Sequence, residues 1–294
     1  MSITHARIHE KTCMGDVHYA VADLDRVASF YRDILGFAVL EQAGDTVVLG
    51  AGDRVLLRLT KDPAARRVRG TAGLYHTAFL VPTRRDLAHL ALRIAESRTR
   101  IHGTSNHGTH LAIYLPDPEG NGIELAWDFP EEVWPIKDGA LDLGAMPRQG
   151  VDFGELMKEL DKNPSPWTGL PQGTVVGHIH LHVSDLETSE RFYHGVLGFD
   201  VMMKSYDFGA LFVSAGGYHH HIGMNIWRGI GIPKASPDAL GLRTFTVLVP
   251  HEEELGRLQA RLAAENIACE PSGAGLLVRD PSGIGLILAV DEGA

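Results

Sequence analysis

One short stretch recurs four times along these 294 residues, and any fold has to accommodate all four copies. Each copy runs into a valine, and the position five residues before that valine changes identity. It is Asp16 in MGDVHYAV, His76 in GLYHTAFLV, His178 in VVGHIHLHV and Thr244 in LRTFTVLV. Two further pairs of segments repeat in the corresponding order. DLDRVASFYRDILGF (23–37) and DLETSERFYHGVLGF (185–199) align without gaps, and each reads as a short amphipathic helix stopped at a glycine. DPEGNGIELAW, from Asp117, and DPSGIGLILAV, from Asp280, each set an Asp-Pro turn and glycines before a strand. Self-similarity of this kind decides architecture before any local reading does. It predicts four modules of strand, helix and three strands (βαβββ), and so an α+β chain.

The length is enough for about two domains with a substantial core. The expected division is an N-terminal domain over 1–130 (modules one and two), a connector over 131–172, and a C-terminal domain over 173–294 (modules three and four). The connector is rich in proline, glycine and charge, and VDFGELMKELDKN within it reads as a short helix packed on a sheet face. A net charge of −10 argues against nucleic acid or an anionic membrane as a partner. No apolar run is long enough to span a bilayer, and MSITHARIHEK lacks the apolar stretch of a secretion signal. With only Cys13 and Cys269, a disulfide scaffold is excluded and a cytoplasmic location is expected, with both cysteines as plain buried thiols. A homo-oligomer is allowed.

GLYHTAFLVP, DPEGNGIEL, GHIHLHVSDL and GGYHHHIGMNIW together resemble the vicinal oxygen chelate superfamily, and within it the two-domain extradiol dioxygenases of the catechol 2,3-dioxygenase type. The resemblance covers roughly residues 12–129 and 174–290. It implies paired modules curled into two half-open barrels around a divalent metal. It also implies a non-haem Fe(II) enzyme, with Mn(II) as a substitute, that opens a catechol ring and inserts both atoms of dioxygen.

The residues narrow where such a metal would sit. Module two carries His76, Tyr114 and Glu124, whereas module four has Thr244, Leu277 and Ile287 at the matching positions. Module one offers only Asp16 and Arg58. Modules two and three remain, with His76, Glu124 and His178 as the expected ligands. Two imidazoles and one carboxylate occupy one face of an octahedral ion and leave the opposite positions open for a chelating diol and dioxygen. For any one of these histidines alone, a hydrogen-bonded core residue is the competing reading. Many relatives of this type hold all three ligands in their last two modules, so this set predicts that modules two and three share a barrel, and modules one and four the other. Sequential pairing is the rival, under which His76 and Glu124 would recruit Asp16 or His18.

Three successive histidines in GGYHHHIGMNIW are costly to bury without partners. Read as the start of a strand, the run turns His219 and His221 one way and His220 the other. The resemblance implies that one histidine here moves protons to and from the reacting oxygens, and His220 is the closest match; a near-neutral pKa suits that role. It also implies a histidine and a tyrosine at the substrate oxygens, carried here onto His107 and Tyr114. Strand alternation puts His180 and His182 on the face of His178. His180, His221 and Trp227 complete the expected substrate contacts. Glyoxalase-like isomerases or thiol transferases, commonly with a second carboxylate ligand, and non-catalytic drug-binding resistance proteins share the fold and stand as alternatives.

Overall fold

The computed structural model describes residues 6–162, 165–273 and 275–291. Residues 1–5, which entered the expectation of no secretion signal, and Asn163, the end of the expected connector helix, lie outside them.

All four modules form. Module one is β1 (Cys13–Val21), α1 (Leu24–Ser29), β2 (Ala38–Ala43), β3 (Thr46–Ala51) and β4 (Arg54–Lys61). Module two is β5 (Gly73–Leu80), α2 (Arg84–Glu96), β6 (Gly103–Asn106), β7 (His110–Pro116) and β8 (Gly122–Asp128). The connector contributes β9 (Ile136–Lys137), β10 (Ala140–Leu141) and α3 (Phe153–Lys162). Module three is β11 (Val175–His182), α4 (Leu186–Glu190), β12 (Asp200–Ser205), β13 (Ala210–Ser214) and β14 (Ile222–Asn225). Module four is β15 (Gly241–Val249), α5 (Glu252–Ala264), β16 (Cys269–Ser272), β17 (Gly275–Arg279) and β18 (Gly285–Val290).

The duplication extends to irregularities. The Asp23 and Asp185 side chains each accept a backbone N–H that opens their helix, from Arg26 at 3.1 Å and Thr188 at 2.8 Å. Both helices then widen into a π-helical turn, over Phe30–Ile34 and Arg191–Val196. Modules two and four instead carry regular helices of 13 residues.

The sheets do not follow the halves of the chain. One eight-stranded sheet runs β16-β17-β18-β15-β1-β4-β3-β2, and the other runs β12-β13-β14-β11-β5-β8-β7-β6. Modules one and four therefore share one curled sheet and modules two and three the other, as the expected ligands call for and against sequential pairing. β5 and β11 meet antiparallel at the centre of the second sheet, with His76 opposite His180 and Ala78 opposite His178. A continuous apolar core, from Val17 and Tyr19 through Phe79 and Leu125 to Ile179 and Leu211, underlies both sheets. Cys13 and Cys269 are free thiols, half-buried rather than fully buried. Among the described residues no helix is long and apolar enough to cross a membrane.

Candidate active site

Strand register explains how the site assembles. The Asp117 carboxylate accepts the N–H groups of Glu119 and Asn121 at 2.8 and 2.9 Å, which closes the turn before β8. The chain then enters β8 at Gly122, where a Cβ would lie 1.9 Å from the Tyr75 carbonyl oxygen. Only glycine lets β8 run that close to β5. Parallel pairing then sets Glu124 beside Ala78, two residues from His76.

Glu124 is 1% exposed and gathers three imidazoles. His76 Nε2 lies 2.9 Å from its Oε2, His178 Nε2 3.2 Å from the same oxygen, and His110 Nε2 2.8 Å from Oε1. Burial alone would raise the Glu124 pKa, but the surrounding His178, His76 and His110 hold it well below the usual carboxylate range. Burial pushes the His178 imidazole down, against the pull of Glu124.

One contact is not what it first resembles. Although His76 Nε2 is 2.9 Å from the carboxylate, it makes no aligned hydrogen bond, and neither of its buried ring nitrogens has a hydrogen-bond partner among the described residues. Such orphans are rare and costly. Donor atoms of His76, Glu124 and His178 all lie within 4.8 Å of one another. Two imidazoles and a carboxylate that crowd together, with neither ring nitrogen of His76 hydrogen-bonded, form a donor set that suits a divalent metal.

Register also shows what occupies the matching positions elsewhere. His76 and His178 are equivalent, so Ala78 beside Glu124 corresponds to His180 beside Gly223. Module three therefore has glycine where module two has its carboxylate, and the ring of His180 fills the space, 3.0 Å from where a Cβ would sit. In module one the position is Arg58, whose Nε donates to Asp16 Oδ2 at 2.6 Å. An ion pair closes the slot that histidine and glutamate occupy in module two. In module four, Leu277 faces Ile287 as Tyr114 faces Glu124.

The cluster lines a cavity of about 260 Å³. His107, His110, Tyr114, His180, His220 and Trp227 share its wall with Leu141, Leu143, Met146, Met203, Phe208 and Phe212. His107 Nε2 and the Tyr114 hydroxyl are 2.7 Å apart. Burial, then neighbouring His110, pushes His107 down to about 3, so it stays neutral. Burial and Glu124 keep the Tyr114 hydroxyl protonated. His180 accepts from Asn225 Nδ2 at 3.0 Å, and Asn225 Oδ1 accepts from His182 at 2.7 Å. Trp227, 45% exposed, stands at the mouth with its indole N–H donating to the Phe208 carbonyl.

Two expectations need correction. The histidine run precedes β14 rather than beginning it, so strict alternation does not apply. His219 and His220 lie against each other, their Nδ1 atoms 2.8 Å apart. His221 does not reach the cavity: its Nδ1 accepts from the Ala215 N–H at 3.2 Å, beside the Ser214 hydroxyl. Burial holds it near a pKa of about 4. The connector, expected only to pack on a sheet, also supplies three apolar side chains to the pocket. Sequence reasoning did not single out His110 as a Glu124 partner, nor Tyr75 or Asp128 as site residues, and it named His219 without placing it beside Asp128. The available signal was parity, since His110 and Tyr114 share a face of β7, and Glu124 and Asp128 a face of β8. A larger cleft of about 440 Å³, lined by Arg67, Arg69 and Arg228, holds none of these histidines.

The model of the Glyoxalase/Bleomycin resistance protein/Dioxygenase superfamily matches residues 13–125 and 175–288. A catechol-2,3-dioxygenase of Bacillus subtilis (strain 168) is 40% identical over 278 residues, which span 93% of this chain and 95% of that protein. Among solved structures, a putative dioxygenase from B. subtilis superposes with a TM-score of 0.67 at 13% identity, covering 98% of this chain and 87% of that one. Glyoxalase I from Zea mays superposes at 0.58 with 16% identity, covering 95% and 92%. At those identities the structural likenesses bear on the fold alone.

Proposed function

This chain belongs to the Glyoxalase/Bleomycin resistance protein/Dioxygenase superfamily, and within it we propose that it is an Fe(II)-dependent extradiol dioxygenase that cleaves a catechol. The observation that carries the reading is the set of His76, Glu124 and His178, with unpartnered ring nitrogens on His76, facing a largely apolar cavity. These three residues would hold the ion, and Mn(II) suits the same donors. Iron held there would supply a Lewis-acidic, redox-active centre with open positions for a catechol and dioxygen.

The remaining residues do the chain's own work. His220 stacks on Phe212 at 4.5 Å and adjoins His178, so it is fixed at the edge of the reacting ring to move a proton. Tyr114 and His107 form a hydrogen-bonded pair on the module-two side, where they orient the substrate oxygens. Leu141, Leu143, Met146, Met203 and Phe208 offer no polar side-chain group other than thioether sulfur, so substituents on the preferred catechol are apolar. His180 and Trp227 complete the wall. The isomerase alternative is disfavoured, because the position matched to Glu124 is Gly223 and supplies no second carboxylate.

Anaerobic iron loading followed by oxygen electrode measurements tests the reading. Catechol should drive oxygen uptake and a yellow ring-opened product, and Glu124→Gln should lose bound iron and uptake together. For a buried anionic ligand the affinity loss should exceed the roughly 10–100-fold typical of outer groups. Protein shown to hold Fe(II) that consumes no oxygen with any dihydroxylated ring would sink the proposal.

A further inference from the structure

Behind His220 runs a chain of buried and half-buried polar groups that the reaction described above does not use. The Tyr218 hydroxyl donates to Asp128 Oδ2 at 2.8 Å. Asp128 Oδ1 lies 3.3 Å from His219 Nε2, and His219 Nδ1 lies 2.8 Å from His220 Nδ1. His219 is 1% exposed and His220 6%, so water does not compete for these nitrogens. His219 is further clamped by His110, stacked at 4.8 Å, and by Trp134 edge-on at 5.1 Å.

We propose that Asp128 and His219 are positioning residues that fix which nitrogen of His220 carries its proton. The argument is one of donors and acceptors. An ionised carboxylate only accepts, so the nitrogen of His219 that faces Asp128 must carry the hydrogen. Neutral His219 then has a bare Nδ1. Across the 2.8 Å contact His220 must donate, which places its hydrogen on Nδ1 and leaves Nε2 as an unprotonated lone pair. Nδ1 is occupied by His219, so Nε2 is the nitrogen His220 offers to a ligand in the pocket it lines. The carboxylate thus presets His220 to accept a proton from the substrate rather than to donate one at the outset. Tyr218 keeps the carboxylate turned toward His219.

The proposal rests on the reading of His220 as the group that moves a proton, and its test separates the two. In metal-free full-length protein with ¹⁵N-labelled histidine, long-range proton–nitrogen correlation spectra distinguish the two tautomers, and His220→Asn identifies the resonance. Wild type should show His220 protonated on Nδ1. In Asp128→Asn the amide can turn its N–H₂ toward His219, and a His220 population protonated on Nε2 should appear. In the iron-loaded enzyme the same variant should lose kcat by on the order of 10²-fold or more with KM changed less than about threefold, as expected when a general base is presented in the wrong tautomer. Tyr218→Phe, which keeps the acceptor, should retain the wild-type tautomer. His220 protonated on Nε2 in wild type, or an unchanged tautomer in Asp128→Asn, would overturn the inference. The spectra need no turnover, so a protein without oxygenase activity would leave this result intact while refuting the catalytic reading.

Discussion

Gly223→Ala places a Cβ 3.0 Å from Cγ of His180 and 3.2 Å from its Cδ2 and Nδ1, where ordinary contact begins at 3.4 Å. The ring has little freedom to retreat. Tyr75 and His76 stand at 5.0 Å between centroids, Trp227 at 5.4 Å and Phe212 at 5.6 Å, and Asn225 donates to its Nε2 at 3.0 Å. Overpacking of this kind costs about 1–3 kcal/mol, and losing the Asn225 bond adds ~1 kcal/mol, for a total of about 2–4 kcal/mol. Gly223 has no positive φ, so none of this loss is backbone strain. His180→Ala removes the ring and opens room for the methyl group, so the double variant should be no less stable than His180→Ala alone. Urea unfolding of the four metal-free proteins yields the coupling, expected at about 2–4 kcal/mol because the whole cost of the methyl group disappears once the ring is gone. Losses that add to within ~0.5 kcal/mol would refute the claim that His180 fills the place of a missing carboxylate.

Acid should weaken the fold through its buried neutral histidines. His221 and His107 have folded pKa values near 4 and 3, set first by burial, against ~6.5 in the unfolded chain. The unfolded state therefore takes up protons first, and stability falls as pH drops below ~6.5, by about 2 kcal/mol per group at pH 5. Urea midpoints measured from pH 7.5 to 4.5 should show this decline, with a shallower slope in His221→Phe; an equal slope in both proteins would contradict it. Arg58→Ala breaks an ion pair whose arginine is 45% exposed, so it should cost less than ~1 kcal/mol and leave iron content unchanged. Loss of iron in that variant would mean that the barrel of modules one and four contributes to metal binding. Met146→Trp narrows the apolar wall and should raise KM for alkyl-substituted catechols more than for catechol itself; equal effects would remove the connector from specificity.

Local pattern made much of this legible. The four strands ending in valine, the Leu-Gly-Phe helix stops and the Asp-Pro turns preserve the βαβββ unit because each depends on neighbours in sequence. His76, Glu124 and His178 stood out for the same reason: comparing equivalent slots shows where chemistry was kept and where Thr244, Ile287 and Arg58 replaced it. Alternation set His219 and His220 on opposite sides, although they lie together, because it was extended beyond β14 into the preceding loop, where side-chain direction follows loop geometry.

Pairing between distant strands decided the rest. The sequence is equally compatible with sequential modules, and it is the antiparallel junction of β5 with β11 that brings His178 to Glu124, which lies 54 residues away. That Gly223 occupies the carboxylate's counterpart, that Arg58 closes the other barrel onto Asp16, and that Asp128 reaches His219 across 91 residues are likewise tertiary facts. Periodicity fixes which face of a strand a side chain occupies, but only the register of the neighbouring strand fixes what it meets there.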